Sequence, residues 1–501
     1  MDCDLLVALI GHPASVAGFI VLFIWLLFCQ KSSSQEEQSS PPSPPRKLPI
    51  FGHLLKLGSH PHITLQSYAR RHGPLFLLHL GSKPTIVVSS SEIARDIMKT
   101  HDLVFANRPK SSMADKLLYN ASDISAAPYG EYWRQMRSVG VLHLLSNKRV
   151  QSFRSVREEE VKLMIEKIQR NPISVNLTET FSGLTNNVVC RVALGAKYGV
   201  GEDLINLRSL LLEFLELLGS FGVRDFIPWL GWIDGISGLD ARAKRVAKEL
   251  DVFLGRVIQD HVDSENRDEN SGKHKDLVDV LLWIQRNNTI GFPLEMDSIK
   301  ALILDMFSAG TDTISTVLEW AMSELLKHPE AMKKLKSEIR EISGDHYVNE
   351  DDLDKMHYLK AVIKETLRLH PPIPLLVPRE STQYIKLRGY DIKPKTRVMI
   401  NAWAIGRDPE VWEEAEEFRP ERFMNSSIDF KGQDFELIPF GAGRRGCPGV
   451  EFATVINEIG LANLVHKFEW MLPNGEDLDM TGAFGLTIHR KHPLVATATP
   501  C

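Results

Sequence analysis

The longest apolar stretch in the chain runs from Ala14 to Cys29 (ASVAGFIVLFIWLLFC). With Leu5–Ile10 it makes about 25 residues interrupted chiefly by a His-Pro pair, enough to span a bilayer. Asp2 and Asp4 precede the run, while Lys31, Arg46 and Lys47 come after it. A cleaved signal peptide needs a cationic start, so the pattern predicts an uncleaved anchor over residues 1–30, with the rest of the chain on the cytosolic side. Residues 31–50 are polar and end in Pro-Pro-Ser-Pro-Pro-Arg-Lys-Leu-Pro. Such a tract favours extended polyproline backbone and predicts a linker that sets the angle of the domain after it.

Residues 51–501 form the remaining body. Leu75–Leu80 and Thr85–Val88 flank Gly81-Ser82-Lys83-Pro84 and predict a β-hairpin. From about Ser91 the apolar period becomes helical and stays so for about 280 residues. Helices are expected over Val156–Gln169, Leu204–Leu218, Ala241–Val262, Asp276–Arg286 and Met296–Lys327. Strand patterns return at Tyr384–Leu387, Arg397–Ile400 and Leu486–His489. No repeat of solenoid length recurs. The expected fold class is mainly α with small peripheral β-sheets.

Composition changes this picture little. The chain has 43% apolar and 25% charged residues and a formal net charge of -5, with no sustained basic stripe, so nucleic acid is not an expected partner. Cys3, Cys29, Cys190, Cys447 and Cys501 are scattered and odd in number. That is neither a disulfide framework nor a zinc ribbon, and it suits a reducing compartment. Asn-x-Ser/Thr triplets at Asn120, Asn176 and Asn425 are then read as chance matches.

Candidate chemistry concentrates in a few places. Phe440-Gly-Ala-Gly-Arg-Arg-Gly-Cys-Pro-Gly449 combines three glycines, two arginines and a cysteine ahead of a helix. A cysteine so placed has its thiolate favoured by the local positive field, and suits a nucleophile, a redox thiol or a metal ligand. The expected Met296–Lys327 helix, about 45 Å long, carries Ala309-Gly310-Thr311-Asp312-Thr313 at its middle. Gly310 marks close approach or a distorted turn there. Asp312 and Thr313 put a carboxylate and a hydroxyl at that point, able to relay protons if a groove opens. Glu365 and Arg368 share a helix face, as do Trp133 and Arg137. An indole N–H beside a guanidinium suits an anionic group on an apolar body.

These motifs together resemble the cytochrome P450 superfamily: Trp133-Arg134-x-x-Arg137, Ala309-Gly310-x-Asp312-Thr313, Glu365-x-x-Arg368, Pro420-Glu421-Arg422-Phe423 and Phe440-x-x-Gly443-x-Arg445-x-Cys447-x-Gly449, in that order. Finer features, Ile405-Gly406-Arg407-Asp408-Pro409, Phe435–Phe440 and Leu486-Thr487-Ile488-His489-Arg490, are similar to the plant A-type group near its family 71. The resemblance implies a haem-thiolate fold over residues 51–501, haem b as cofactor and Cys447 as the axial iron ligand. It assigns Trp133, Arg137, Arg379 and Arg445 to the haem propionates, and Phe440 and Gly449 to the surroundings of the sulfur. Thr313 with Asp312 would manage proton delivery to oxygen, and Glu365, Arg368 and Arg422 would form a structural ion network. Ile314 stands where the pattern usually has a second Thr or Ser, so an auxiliary hydroxyl is missing. Leu117, Leu118, Asp305, Phe307, Ala309, Leu376, Val377, Phe484 and Leu486 are the implied substrate-pocket residues, with Asp305 a candidate for holding a basic or hydroxylated substrate. The implied activity is monooxygenation of a lipophilic small molecule, a terpenoid or alkaloid, with dioxygen. The electrons would come from NADPH through a separate reductase at the endoplasmic reticulum membrane.

Gly441, Gly443 and Gly446 also satisfy the dinucleotide pattern G-x-G-x-x-G, with Glu469 about twenty positions on. A nicotinamide-dependent dehydrogenase fails on topology, since about thirty residues after Glu469 cannot supply the remaining parallel strands. A haem or lipid binder without turnover has no use for Asp312 and Thr313. Haem-thiolate dehydratases and isomerases often lack the helix threonine, which is present here.

Overall fold

The computed structural model describes residues 39–45, 47–198, 202–265, 276–473, 477–483 and 485–501. The expected anchor over residues 1–30 and the pocket candidate Phe484 lie outside the described residues. The described helices include α1 (Glu131–Gly140), α2 (Arg154–Arg170), α3 (Leu177–Ala193), α4 (Glu202–Gly219), α5 (Leu239–Glu265), α6 (Leu277–Asn287), α7 (Met296–Lys327), α8 (Pro329–Ser343), α9 (His357–Leu369) and α10 (Val450–Lys467). The strands are β1 (Leu75–Leu80), β2 (Lys83–Val88), β3 (Val175–Asn176), β4 (Arg379–Glu380), β5 (Ile385–Leu387), β6 (Tyr390–Ile392), β7 (Arg397–Ile400), β8 (Phe468–Met471) and β9 (Val495–Pro500). They make a sheet of order β1-β2-β7-β4, a second of order β3-β9-β8 and the β5-β6 hairpin.

Helix α7 runs through the centre. It is long and apolar enough by composition to cross a membrane, yet two-thirds of its most apolar stretch is buried inside the fold. A helix that is apolar on all sides is a core helix when other helices cover it. Here α3, α9 and α10 pack along it. It ends where His328 N–H bonds to Glu324 O and Pro329 opens α8; proline tolerates a first helical turn but not an interior. Gly310 reflects close approach rather than a break, because helical structure is continuous through it. A Cβ there would stand 3.1 Å from Val189 Cγ2 of α3. Helix α10 is buried from Phe452 to His466 and holds the cysteine loop against the core.

Two expectations change. Leu486–His489 forms no strand: only an isolated Gly482–Arg490 bridge is present. Its backbone is used elsewhere, with Ile488 N–H on Pro372 O (2.9 Å) and Ile488 O accepting Trp320 Nε1–H (2.9 Å). The described part of the linker is also no free spacer. Pro42 O accepts the Leu77 N–H at 2.8 Å, Ser39 O accepts the Asp391 N–H at 2.6 Å, and the His53 ring bonds Pro44 O at 3.0 Å. These bonds seat the prolines against β1 and β6.

Candidate active site

The cysteine loop is shaped by two left-handed glycines, Gly441 (φ 66°) and Gly443 (φ 67°). A side chain at Gly443 would be strained and would also meet Met98 O at 2.2 Å. Cys447 N–H bonds Phe440 O at 2.9 Å, and Gly449 N–H points to Cys447 Sγ at 3.3 Å. Burial pushes the Cys447 thiol up; the Gly449 N–H and the Arg137 charge oppose it. The expected thiolate-favouring field therefore exists, but desolvation outweighs it in the protein alone. Phe440 is part-buried and packs 5.4 Å from Phe430.

Around this loop sit four buried or part-buried arginines. Arg445 donates to the carbonyls of Ala106 (2.7 Å), Ile124 (3.2 Å) and Ala127 (2.6 Å). Its guanidinium also lies 4.2 Å over Trp133. Trp133 Nε1–H donates to Ile124 O at 2.9 Å, and Arg137 to Gly446 O at 2.7 Å. Arg379 donates to Ala442 O at 2.6 Å and pairs with Asp102 at 3.1 Å. Arg108 bridges Ser125 O, Val377 O and Pro378 O. Burial, together with Arg379 and Arg137, lowers Arg445 to about 9, and burial with the neighbouring Arg445 and Arg379 lowers Arg108 as well. The cluster is short of negative charge.

The acid and the alcohol on α7 occupy different surroundings. Thr313 is part-exposed and its hydroxyl donates to Ala309 O at 2.7 Å. Asp312 is buried; its Oδ1 lies 3.0 Å from His489 Nε2, while Oδ2 has no partner. Thr316 and Ser315 both donate to Asp312 O. Although α7 is otherwise largely buried, Ala309 is exposed and Gly310, Thr311 and Thr313 are part-exposed. A gap therefore lies along this stretch. Cys447 is likewise exposed despite its desolvated thiol.

The third constellation is fully formed. Glu365 and Arg368 have no exposed side-chain surface and make two bonds at 2.7 and 2.8 Å. Arg368 also reaches Gly406 O, Ala415 O and Glu417 O. Glu365 Oε1 further accepts from Arg422 Nε (2.9 Å) and Arg419 N (2.8 Å). In place of the exposed pair that helix spacing alone suggests, this is a closed buried network.

A sequence profile of the cytochrome P450 family matches residues 41–495, across all of these constellations. The chain belongs to the cytochrome P450 family. Cytochrome P450 736A117 of Prunus mume is 55% identical over 492 residues, covering 96% of this chain and 95% of that protein. Cytochrome P450 71A4 of Solanum melongena is 54% identical, covering 96% and 97%. A zebrafish cytochrome P450 solved with progesterone superposes with a TM-score of 0.76 at 28% identity, covering 88% of this chain and 99% of that one. The protein is a monooxygenase of the oxidoreductase class with a haem iron cofactor.

The residues present fit a haem. Its two propionates would neutralise an arginine cluster that repels itself, and its flat apolar body would cover the exposed flank of Ala309 and Cys447. Cys447 would hold the iron. Trp133 and Arg445 already spend their donors on backbone carbonyls, so propionates would share those N–H groups. Leu376, held in the left-handed region at φ 50°, has its Cδ1 3.8 Å from a Cβ built at Gly441, a strained position of the kind that clusters at sites.

The pocket candidates of this P450 divide. Ala309, Leu376, Val377 and Leu486 keep accessible surface. Leu117, Leu118 and Phe307 are buried in the main core, Phe307 stacked 6.1 Å from Phe253. Asp305 is not free to hold a basic substrate: its Oδ2 accepts the Ile124 N–H at 2.6 Å. Burial and the neighbouring Asp123 hold its carboxyl far above the ordinary range. It fastens the 118–127 loop to α7.

Sequence reasoning missed Asp102, Arg108, Thr316 and the partner of Asp312. Asp102 pairs with Arg379 and with Arg444 (2.9 Å), and takes the Arg444 N–H at 3.0 Å. It and Arg108 act across hundreds of positions, with no local spacing to reveal them. Thr316, two residues beyond Ile314, sets its hydroxyl on the Asp312 backbone carbonyl and against the His489 ring.

Proposed function

We propose that this cytochrome P450 inserts one oxygen atom from dioxygen into a lipophilic small molecule of plant specialised metabolism, a terpenoid or alkaloid. NADPH supplies the electrons through a separate reductase. The observation that carries the reading is the acid–alcohol pair on α7, Asp312 and Thr313, beside an exposed stretch of an otherwise buried helix. Haem iron held by a thiolate supplies O–O cleavage, which sulfur donation favours. The chain's part is to hold protons at Thr313 Oγ1 and Asp312 Oδ2 and to offer the substrate an apolar wall. Asp305, tied to the loop through the Ile124 N–H, leaves that wall without a free carboxylate, which favours an uncharged substrate. Arg134 and Arg444 are exposed beside the cysteine loop and suit an acidic electron donor.

The test is isotopic. Incubation with reductase, NADPH and ¹⁸O₂ is expected to give product carrying one labelled atom. Product formed without dioxygen or NADPH would instead make the enzyme a dehydratase or isomerase. Thr313→Ala is expected to keep the carbon-monoxide spectrum while diverting most reducing equivalents to hydrogen peroxide; a tightly coupled Thr313→Ala enzyme would remove the hydroxyl from the proton path.

The location we infer is the endoplasmic reticulum membrane. Besides the expected anchor, Trp229 and Trp232 are each 59% exposed and Ile236 78%. Their segment is tied to the Ile50–Leu55 region, also rich in exposed apolar groups, through the β1–β2 turn: Ser82 N–H bonds Phe226 O at 2.8 Å and Gly81 N–H bonds Phe51 O at 3.0 Å. Paired indoles on such a patch suit the lipid interface. In full-length protein on phospholipid vesicles, brominated lipids are expected to quench indole emission less after Trp229→Ser and Trp232→Ser together. Equal quenching in parent and double variant would place these indoles away from the bilayer.

A further inference from the structure

The partner of the site's acid lies on the C-terminal loop. His489 Nε2 is 3.0 Å from Asp312 Oδ1, and His489 Nδ1 is 2.9 Å from Thr316 Oγ1. The Thr316 hydroxyl spends its only proton on Asp312 O at 2.8 Å. A hydroxyl has one O–H and two lone pairs, so in that rotamer it accepts from Nδ1–H, whereas with its proton turned to the ring it donates to Nδ1; in both, Nε2–H donates to Asp312 Oδ1. Nε2 faces a carboxylate oxygen. In the first arrangement both ring nitrogens donate and the ring is an imidazolium.

We propose that His489 is a positioning residue for Asp312: its Nε2–H pins Oδ1 and thereby presents the buried, unpartnered Oδ2 as the oxygen that accepts and passes protons beside Thr313. Three further observations agree. Asp312 Oδ2 is buried without any hydrogen-bond partner, and an unpaired polar atom in that setting is costly unless a ligand or water completes it. A third of the His489 side chain remains accessible, against 8% for Asp312, so the histidine can exchange protons with solvent while the acid cannot do so directly. Burial works against charging the ring, but the Asp312 bond and charge, helped by Glu319, outweigh it and raise His489 above its ordinary value.

The groups facing His489 come from two elements. Asp312 and Glu319 face it from α7; Glu319 is itself bonded to Thr178 of α3. On its own loop the neighbouring cation is Arg490, which bonds Ser323 at 3.2 Å and sits 5.9 Å over Trp320. A proton on His489 therefore answers to two carboxylates, and Asp312 is the one in contact.

This inference rests on the proposed oxygen chemistry for its consequence, though not for the pair itself, and two measurements separate them. The first is titration of the ¹³Cε1-histidine-labelled, haem-loaded ferrous carbon-monoxide protein, with the His489 signal identified by its loss in His489→Gln. The expected signal titrates above the ordinary histidine value of about 6.5 and shifts downward in Asp312→Asn. A signal at or below that value, or one indifferent to Asp312→Asn, overturns the pairing whatever reaction the enzyme performs. The second is the ratio of peroxide to product as a function of pH, at equal haem content. In His489→Gln the ratio is expected to rise by about tenfold, less than the roughly 10²- to 10⁴-fold a direct proton donor contributes because His489 acts through Asp312, with the pH dependence flattened. His489→Arg, a permanent cation and donor, is expected to restore coupling without restoring the pH dependence. Parent-like coupling and pH profile in His489→Gln would overturn the positioning role. A parent enzyme that makes product without dioxygen sinks the monooxygenase reading and the coupling role together, while the titration still judges the ion pair.

Discussion

Cys447→Ala is expected to remove the thiolate-type Soret band of the reduced carbon-monoxide complex and all turnover with it. The loop around the sulfur does not depend on the thiol for its shape. Its turn is made by Gly441 and Gly443 at positive φ, and its closure by the Cys447 N–H on Phe440 O. The side chain is exposed rather than packed into the core, so alanine leaves no core cavity. Far-ultraviolet circular dichroism of the variant should match the parent, which separates lost ligation from lost folding. Gly449 N–H, aimed at the sulfur from 3.3 Å, would lose its acceptor; hydrogen bonds to a ligating sulfur tune such centres. Retention of a thiolate-type Soret band by Cys447→Ala would mean that another group holds the iron.

The second large effect falls on folding. Arg368 makes five hydrogen bonds, two to Glu365 and three to the carbonyls of Gly406, Ala415 and Glu417. Its side chain and that of Glu365 are completely buried. Arg368→Ala leaves Glu365 with less compensation, strands the carbonyls of Gly406 and Ala415, and leaves Glu417 O to Arg422 alone. Breaking a buried pair by deleting one partner costs about 3–5 kcal/mol, against a total stability of about 5–15 kcal/mol for a typical domain. The expected result is a denaturation midpoint far below the parent and little haem-loaded protein. Arg368→Lys should recover only part, because an ammonium offers three donors from one point where the guanidinium offers five in a plane. A midpoint for Arg368→Ala within about 1 kcal/mol of the parent, the size of an exposed pair, would refute the network's role.

Periodicity located the long helices well. Met296–Lys327 is α7 at both ends, and the expected Val156–Gln169, Leu204–Leu218 and Ala241–Val262 fall inside α2, α4 and α5. The β1–β2 hairpin and β7 match their runs of β-branched and other apolar residues in the same way. These succeed because a local pattern decides which face of an element is apolar. Leu486–His489 failed because an apolar alternation says nothing about whether a partner strand is present. There the neighbours are Pro372 O and the Trp320 indole, which take the backbone groups one at a time. Phe307 and Leu117, which the family resemblance put in the pocket wall, are buried in the main core: hydrophobicity does not distinguish a buried position from one beside a cavity.

By itself the sequence determined the family and singled out the cysteine proposed as iron ligand, the ion-network residues and the acid–alcohol pair. Each is carried by a short motif whose spacing is local to one loop or one helix. Only the tertiary structure decided how those residues are partnered. It set Asp102 against Arg379 and Arg444, spent Asp305 on the 118–127 loop, turned the Thr316 hydroxyl onto the Asp312 backbone carbonyl, and brought His489 across 173 positions to that hydroxyl. The physical reason is that hydrogen bonds and ion pairs act over about 3 Å of space, whereas a sequence records distance only along the chain.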